Sequence, residues 1–293
     1  MNKEAENEHI WIGRFTLKPS SKKTNEDSLM HSTDSLKSNQ DVHIFMIADG
    51  MGGHSMGDSA SYFALSYVRK WWMSKIWMSE EPKEFLKNCQ EELIDVFHEV
   101  NQKLIEIGRL EEKEIGTTLS VLILVGNEYF IGHIGDSRIY RYREEVLAIE
   151  QPNGDTIDLN EEKSFLQLTV DHSYASLKVK NGEMSAEEAM SHDKAHYLTQ
   201  CMGIKGEIEP YVASGEFTAA DYFVLCTDGF YKLFTEDELK KQWTIKLEEN
   251  ASMQNVSDSL YNLVKTKNFH DDASMLIVNT FGKIKDKKNV SRA

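Results

Sequence analysis

The chain of 293 residues carries 48 acidic residues (Asp and Glu) against 33 basic ones (Lys and Arg), which gives a formal net charge of −15. This balance argues against a nucleic-acid-binding protein, which usually presents a basic face to phosphates, and against docking to an anionic membrane surface. Hydrophobic residues make up 40% of the chain, which is enough for a sizeable core and argues against disorder. With only four prolines and no glycine- and serine-rich linker, we predict one domain over residues 1–285 and a flexible tail over 286–293.

The sequence shows no pattern typical of a targeting or membrane segment. Its first ten residues are charged and lack an apolar core, so no secretory signal is predicted. The longest apolar stretch, 121–125, is far shorter than the roughly 20 residues of a membrane helix. Three cysteines, Cys89, Cys201 and Cys226, are far apart and have no metal-like spacing. We therefore expect a cytoplasmic protein with reduced thiols, and a monomer.

The apolar pattern predicts both strands and helices. In chain order we predict a strand at 42–48, helices at 58–78 and 82–110, strands at 118–125, 129–134 and 137–142, a hairpin turn at Asn153-Gly154, a strand at 222–227, a helix at 252–265 and a strand at 274–280. Segment 173–205 interrupts this pattern with short polar helical pieces and is interpreted as an insertion or flap.

The burial expected of these elements indicates the fold class. Residues 42–48 and 222–227 carry apolar side chains at successive positions, which indicates strands covered on both faces. Apolar residues of the helices recur at intervals of three and four, so each helix has one apolar face. The face predicted for the first helix consists of Ala60, Phe63, Ala64, Tyr67, Val68 and Trp71. Such strands and helices predict stacked sheets with helices packed outside.

Five groups of acidic residues lie beside predicted strands. Two of them, Asp49-Gly50 and Asp228-Gly229, end the strands that are predicted to be covered on both faces. The others are Asn25-Glu26-Asp27, Gly135-Asp136-Ser137-Arg138 and His270-Asp271-Asp272. A buried carboxylate is costly unless a cation or hydrogen bonds compensate it. Each aspartate alone is also compatible with a helix cap or a turn, but the five groups together favour a site for Mg²⁺ or Mn²⁺, which prefer oxygen ligands.

The glycine-rich segment around Asp49 matches neither of two nucleotide-binding motifs. No Gly-Lys-Ser/Thr follows, as a Walker P-loop requires, and Ser55 stands where a dinucleotide fingerprint needs its third glycine. The glycines more simply allow the backbone, including the Gly50 carbonyl, to approach an ion closely.

Six short motifs, in this order, carry a resemblance to a known family: Asn25-Glu26-Asp27, Ala48-Asp49-Gly50-Met51-Gly52-Gly53-His54, Gly116-Thr117-Thr118, Gly135-Asp136-Ser137-Arg138, Thr227-Asp228-Gly229 and Asp271-Asp272-Ala273-Ser274. Over residues 10–280 the chain resembles the metal-dependent protein phosphatases of the PP2C (PPM) family, bacterial branch. The resemblance implies an α+β fold, a four-layer α-β-β-α sandwich of two mainly antiparallel sheets flanked by helices, with the metals at one end of the sheets.

The resemblance also implies a metal site that holds two Mn²⁺ or Mg²⁺ ions, or three. By this resemblance Asp49 bridges two ions. The Gly50 carbonyl binds one of them, which Glu26 reaches through water, and Asp228 and Asp271 bind the other. Asp136 with Asp228 forms a third, weaker site, and Asp27 orients the ligands. Two close divalent ions lower the pKa of a bridging water and offset the charge of the transferred phosphoryl group. A metal-bridging water or hydroxide is then expected to attack phosphoserine or phosphothreonine directly, without a protein nucleophile.

Two positions depart from the family pattern. The family usually has an arginine that grips the substrate phosphate three residues before Asn25, where this chain has Lys22. Lysine binds phosphate as a point charge without the bidentate fork, so we expect weaker phosphate capture here; the alternative is an ordinary exposed lysine.

Animal relatives have a histidine directly after the Asp-Gly pair, where this chain has Met51. His54 is then a candidate for the leaving-group acid, but it can equally support the loop while a metal-bound water protonates the leaving group.

The function expected from this resemblance is a protein serine/threonine phosphatase that reverses a Ser/Thr protein kinase, with a phosphoprotein as its partner. Two alternatives stay open. The first is a non-catalytic module that keeps the fold and binds a kinase or phosphoprotein; Lys22 favours it, whereas the retained Asp49, Asp228 and Asp271 oppose it. The second is a two-metal phosphatase for small-molecule phosphoesters, which the acidic charge does not exclude.

Overall fold

Two antiparallel sheets are stacked face to face, with helices on both outer faces, in a computed structural model of the chain. This is the predicted α+β sandwich with four layers, α-β-β-α. The structure describes residues 11–52, 56–78, 81–143, 149–150, 156–157, 165–185, 188–189, 192–195, 197–218, 220–249 and 252–279. The predicted tail, 286–293, lies outside these ranges.

The first sheet has the strand order β1-β13-β12-β7-β10, and its neighbours are antiparallel. Its strands are β1 (Trp11–Leu17), β7 (Arg138–Arg143), β10 (Phe165–Gln167), β12 (Asp221–Cys226) and β13 (Ala273–Asn279). Because β12 and β13 lie inside the sheet and both faces of the sheet are covered, the burial predicted for 222–227 is confirmed, apart from the partly exposed Tyr222.

The second sheet has the order β11-β6-β5-β3-β2, and a short strand, β4, pairs with the end of β3. Its strands are β2 (Asp27–Ser35), β3 (Asp41–Gly52), β4 (Ile115–Thr117), β5 (Leu119–Val125), β6 (Glu128–Ile134) and β11 (Tyr211–Glu216). A separate hairpin of β8 (Ile149–Glu150) and β9 (Thr156–Ile157) flanks the predicted turn Asn153-Gly154, which itself lies outside the described residues.

Successive residues of the central strands point alternately into two different cores. On β3, Phe45 and Ile47 pack against the first sheet, whereas Ile44 and Met46 pack under the helices on the other side. This is why strand 42–48 needs apolar residues at successive positions. A fully buried side chain of this kind contributes about 1.5–3 kcal/mol to the free energy of unfolding.

The helices form the outer layers. α1 (Gly57–Met78) and α2 (Pro82–Leu110) cover the second sheet, and α5 (Glu236–Glu249) and α6 (Met253–Thr266) cover the first. Two short helices, α3 (Tyr174–Lys180) and α4 (Asp228–Tyr231), lie near one end of the sandwich. Among the described helices, none combines the length and the apolar composition that a bilayer crossing requires.

The buried face of α1 differs in part from the predicted one. Ala60, Ala64 and Val68 are buried as predicted, but Trp72 is completely buried where Trp71 was expected. The Trp71 indole is instead partly exposed and donates to Glu92 Oε2 on α2 at 3.1 Å. The two adjacent tryptophans satisfy the apolar spacing almost equally, so the sequence pattern alone does not determine which of them faces the sheet.

Candidate active site

Acidic side chains from both sheets meet at one end of the sandwich. Asp27, the first residue of β2, lies directly across from Asp49 on β3. From the other sheet, Asp228 begins α4 immediately after β12, and Asp271-Asp272 precede β13. Stacking the two sheets therefore brings together acids that are more than 240 residues apart in the chain, as the six motifs predicted.

Hydrogen bonds between the sheets hold this end in place. The Thr227 hydroxyl donates to Asp27 Oδ2 at 2.9 Å and accepts from the backbone N–H of Ser274 at 3.0 Å. The backbone N–H of Glu26 donates to Asp272 Oδ2 at 2.9 Å. Asp27 thus contacts the opposite sheet, in keeping with the orienting role that the resemblance implied.

Asp49 is fixed through its backbone. Its N–H donates to Thr118 Oγ1 at 2.8 Å, and its carbonyl accepts from the Thr118 N–H at 2.9 Å. The same Thr118 hydroxyl lies 2.8 Å from Ser137 Oγ. Ser137 and Asp136 belong to the turn between β6 and β7, which Gly135 makes possible with a φ of +108°. The Gly-Thr-Thr motif therefore couples the strand end at Asp49 to the turn that carries Asp136.

Gly50 and Gly57 allow the start of α1 to lie against the site. A Cβ on Gly50 would lie 1.9 Å from the Gly57 carbonyl oxygen, so no other residue fits at position 50. A Cβ on Gly57 would lie 2.5 Å from Glu26 Oε1 and 2.7 Å from the Gly50 carbonyl oxygen. These two oxygens, which were predicted to serve the same ion, therefore converge on one small space.

Burial and mutual repulsion shift the pKa values of the clustered carboxyl groups. Burial, followed by the charges of Asp27 and Asp228, raises the pKa of Asp49 well above its usual value. Burial and the Asp228 charge raise the pKa of Asp136 to about 7, although Lys232 opposes them. Burial alone would raise the pKa of Asp228, but the neighbouring Lys232 ammonium holds it below its usual value.

Lys22 lies at the edge of the acid cluster. Its ammonium contacts Asp271 Oδ1, lies 3.1 Å from Asp272 Oδ2 and lies 3.5 Å from Glu26 Oε2. Burial opposes the charged form, but the hydrogen bonds and charges of Asp271 and Asp272 raise the pKa of Lys22 above its usual value. Lys22 is therefore a fixed positive charge beside the predicted metal ligands.

The sequence interpretation missed a second cation, Lys232. Its ammonium lies 2.6 Å from Asp228 Oδ2 and 3.7 Å from Asp136 Oδ2. Lys232 stands four residues after Asp228, the spacing at which side chains meet on a helix, but no helix was predicted there from the sequence. Asp272 was also passed over as a site residue, although its side chain is only 1% exposed and contacts Lys22.

The oxygen atoms of the cluster are of the kind that divalent cations prefer as ligands, and several of them lack a hydrogen-bond partner. Asp27 Oδ1, Asp228 Oδ1 and Asp272 Oδ1 are buried and have no hydrogen-bond partner among the described residues. Such oxygens are costly unless a cation or a donor satisfies them. As the side chains stand, no three acidic, histidine or cysteine residues in the described ranges could enclose one ion, and the ammonium groups of Lys22 and Lys232 lie among the carboxylates.

Three further features singled out in the sequence are Met51, His54 and the predicted flap. Met51 lies at the end of β3 and is partly buried, but His54 lies outside the described residues, so its role as an acid stays a prediction. The predicted flap, 173–205, begins beside the site: the Asp171 carboxylate accepts hydrogen bonds from Nε and Nη2 of Arg138, and the backbone N–H of His172 donates to the Gly135 carbonyl at 2.8 Å.

Comparison with known proteins identifies the family from sequence. The family model of protein phosphatase 2C matches residues 19–265. Protein phosphatase PhpP of Streptococcus pneumoniae is 32% identical over 199 residues, which cover 67% of this chain and 71% of that protein. A serine/threonine phosphatase, stp, of Listeria monocytogenes is 30% identical over 209 residues, 70% of this chain and 72% of that protein.

Solved structures show the same fold. The serine/threonine phosphatase of S. agalactiae matches 93% of this chain and 100% of its own, with a TM-score of 0.76 and 23% identity. The catalytic domain of the phosphatase PstP in complex with two manganese ions matches 92% of this chain and 97% of its own, with a TM-score of 0.68 and 20% identity. The chain belongs to the protein phosphatase 2C family.

Proposed function

We propose that this chain is a metal-dependent protein serine/threonine phosphatase that hydrolyses phosphoserine and phosphothreonine in proteins. The observation that carries the proposal is the convergence of Glu26, Asp49, Asp228 and Asp271 from four separate segments of two sheets at one end of the sandwich. The named relatives in the same family are protein and serine/threonine phosphatases. We also propose that the enzyme reverses a Ser/Thr protein kinase.

The metal would be held by the oxygens described above. Asp49 would contact two ions, Glu26 and the Gly50 carbonyl would serve one of them, and Asp228 and Asp271 would serve the other. The two manganese ions in the PstP structure support a site for two ions in this fold. Bound divalent ions supply an activated water and neutralise charge on the phosphoryl group.

The chain's own residues would bind and orient the phosphoester. The Lys22 ammonium lies beside the ligand set and can bind a phosphoryl oxygen as a point charge. Asp27 and Thr118 hold the strand ends that carry the ligands, so the carboxylates are in place before the substrate arrives. These residues explain how the site positions a substrate but do not themselves supply a nucleophile.

A cysteine-based phosphatase mechanism is not supported by this chain. Cys89, Cys201 and Cys226 are free and buried. Burial raises the pKa of each thiol, to about 11 for Cys201 and to about 12 for Cys89. A nucleophilic cysteine needs a lowered pKa and an exposed sulfur.

A cavity beside the acids has room for a residue that flanks a phosphorylated side chain. It has a volume of about 640 Å³ and extends from Asp136 and Lys232 to Val170 and to residues of the flap such as Val179. Because its far wall is partly apolar, it can accept a side chain that flanks the phosphorylated residue. Since the named relatives are protein and serine/threonine phosphatases, we favour a phosphoprotein substrate over a small molecule.

One assay separates the proposal from its rivals. Phosphate release is measured with Mn²⁺ from a phosphothreonine peptide, a phosphotyrosine peptide and a set of nucleotides, for the wild type and for Asp228→Ala. We expect release from the phosphothreonine peptide that EDTA and Asp228→Ala abolish. Release only from nucleotides would favour the small-molecule enzyme, and no release from any substrate would favour the non-catalytic module.

A further inference from the structure

Lys232 occupies a position between two acids that belong to different parts of the fold. It ends the helical turn that Asp228 begins, and its backbone N–H donates to the Asp228 carbonyl at 3.0 Å. Its ammonium lies 2.6 Å from Asp228 Oδ2 and 3.7 Å from Asp136 Oδ2 in the turn between β6 and β7. One side chain therefore bridges the acids for which the family resemblance implied a third metal ion.

We propose that the Lys232 ammonium takes the place of a third divalent ion between Asp136 and Asp228, so that this enzyme binds two ions. The inference rests on the proposed function, since it assumes the metal site of that enzyme. In this account Lys232 is a positioning residue, which balances charge and orients Asp136 and Asp228.

The charges of the two acids support this role. The Asp136 side chain is 8% exposed and the Asp228 side chain is 16% exposed, so neither carboxylate is well hydrated. Two poorly hydrated carboxylates that share a site repel each other, so they require a cation between them. A tethered ammonium meets this requirement at every metal concentration, whereas a weakly bound ion meets it only when the metal is abundant.

The arrangement leaves the two-ion set intact. The ammonium contacts Asp228 through Oδ2, while Asp228 Oδ1 is buried and has no hydrogen-bond partner among the described residues. That oxygen stays available to one of the first two ions. Asp136 was not predicted to contact either of them, so its contact with Lys232 removes no ligand from that pair.

A third ion and the ammonium exclude each other in this space. A divalent ion between Asp136 and Asp228 would have to share the same carboxylate oxygens with a positive charge that already lies 2.6 Å from one of them. The two cations would repel each other across carboxylates that are only 8% and 16% exposed, although the Lys232 side chain itself is 42% exposed and solvent reduces this repulsion. Removal of the ammonium should therefore uncover a site that the wild type lacks.

The test counts bound ions directly. Equilibrium dialysis with elemental analysis gives the number of Mn²⁺ ions per chain from micromolar to millimolar metal. We expect two ions for the wild type, three for Lys232→Met, and two for the double variant Lys232→Met with Asp136→Asn. Lys241→Met removes an exposed lysine of α5 and should keep two ions, and Lys232→Arg should also keep two because it keeps the positive charge.

Three outcomes would overturn the inference: a third ion in the wild type, two ions in Lys232→Met, or three ions in the double variant. Thermal unfolding of each variant checks that it is folded before ions are counted. The proposed function fails in a different way. Wild-type enzyme that binds two ions but releases no phosphate from the phosphothreonine peptide would contradict the phosphatase assignment and leave the role of Lys232 standing.

Discussion

Lys22 is the residue at which this chain departs most clearly from the family pattern, and the structure shows which residues its ammonium contacts. The ammonium contacts Asp271 and Asp272 at the edge of the acid cluster. A lysine so held cannot make the bidentate contact of an arginine, but it keeps its positive charge where a phosphoryl group would bind. Its contribution is therefore electrostatic.

We predict that Lys22→Ala lowers kcat/KM for a phosphothreonine peptide by about 10- to 100-fold, the size expected when one charge-assisted contact is lost. Lys22→Arg should retain most of the activity. The matched control is Lys23→Ala, which removes an exposed neighbouring lysine. Equal steady-state constants for Lys22→Ala and Lys23→Ala would show that Lys22 does not bind the phosphate.

Buried His43 should make the fold sensitive to mild acid. Burial lowers the pKa of His43 to about 4, and its Nδ1 lies 3.1 Å from the Thr33 hydroxyl. Because the unfolded chain takes up the proton near pH 6.5 and the folded chain only near pH 4, unfolding is favoured as the pH falls through this window. Between pH 7 and pH 5 the loss is about 2 kcal/mol for this residue.

Urea denaturation at pH 7 and pH 5 measures this loss. In His43→Gln the difference in the free energy of unfolding between the two pH values should shrink by about 2 kcal/mol relative to the wild type. His98→Gln, on the exposed side of α2, is the control with one histidine fewer. If His43→Gln and the wild type lose equal stability, His43 is not the neutral buried group described above.

At the level of single residues, the sequence was informative where a residue type is demanded by chemistry. Acids at the ends of buried strands, such as Asp49 and Asp228, are conspicuous because burying a carboxylate is costly unless a cation or a hydrogen bond compensates it. Lys232 and Asp272 were not conspicuous, because a lysine or a second aspartate in a turn is ordinary. Only the folded chain shows that both lie within the cluster.

Among the elements, α2 has a role beyond covering the second sheet. Asn101 is 2% exposed, accepts a hydrogen bond from the Gly203 N–H at 2.7 Å and so ties the end of the flap segment to the helix. The residue before Gly203, Met202, pairs with Thr117 on β4. The helix therefore anchors the segment that returns from the flap to the sheet.

We predict that Asn101→Ala lowers the free energy of unfolding by about 1–3 kcal/mol, since the partly buried Gly203 N–H loses its acceptor. Urea denaturation gives the value. Gln102→Ala, at the adjacent exposed position, should change the free energy by less than about 0.5 kcal/mol. Comparable losses in the two variants would mean that the Asn101 contact does not hold the segment.

The elements themselves were predictable to the extent that they are buried. Strands inside a covered sheet, such as β3 and β12, have apolar runs that predict them, and α1 and α2 have clear helical spacing. The sequence did not predict β2 and β11, which lie at the edges of their sheet, nor β1, at the edge of the other. These strands are mostly only partly buried and lack a continuous apolar run, so their β structure depends on pairing with a neighbouring strand.

In the whole molecule, the function depends on stacking two sheets that come from interleaved parts of the chain. The second sheet contributes Asp49 and the segment before β2, whereas the first contributes Asp228 and the segment before β13. Spacing in the sequence cannot place these acids side by side, because segments up to about 250 residues apart meet only after both sheets have formed. The resemblance to a family supplied this arrangement, and the structure shows the contacts that maintain it.

The acid cluster should therefore work only as a unit and only with metal. Asp49 lies at the centre of that unit, since it is the residue proposed to contact both ions. Asp49→Asn keeps the shape of the side chain and its place on β3 but removes the negative charge that bridging requires. The variant separates a metal-dependent mechanism from one in which the acids only shape the site.

The most direct test is phosphate release from a phosphothreonine peptide as a function of Mn²⁺ concentration, for the wild type and for Asp49→Asn. We predict that wild-type activity rises from the background level as Mn²⁺ is added after EDTA treatment, and that Asp49→Asn stays at least about 100-fold lower at saturating metal. Full activity of the wild type in EDTA, or of Asp49→Asn with Mn²⁺, would contradict the account.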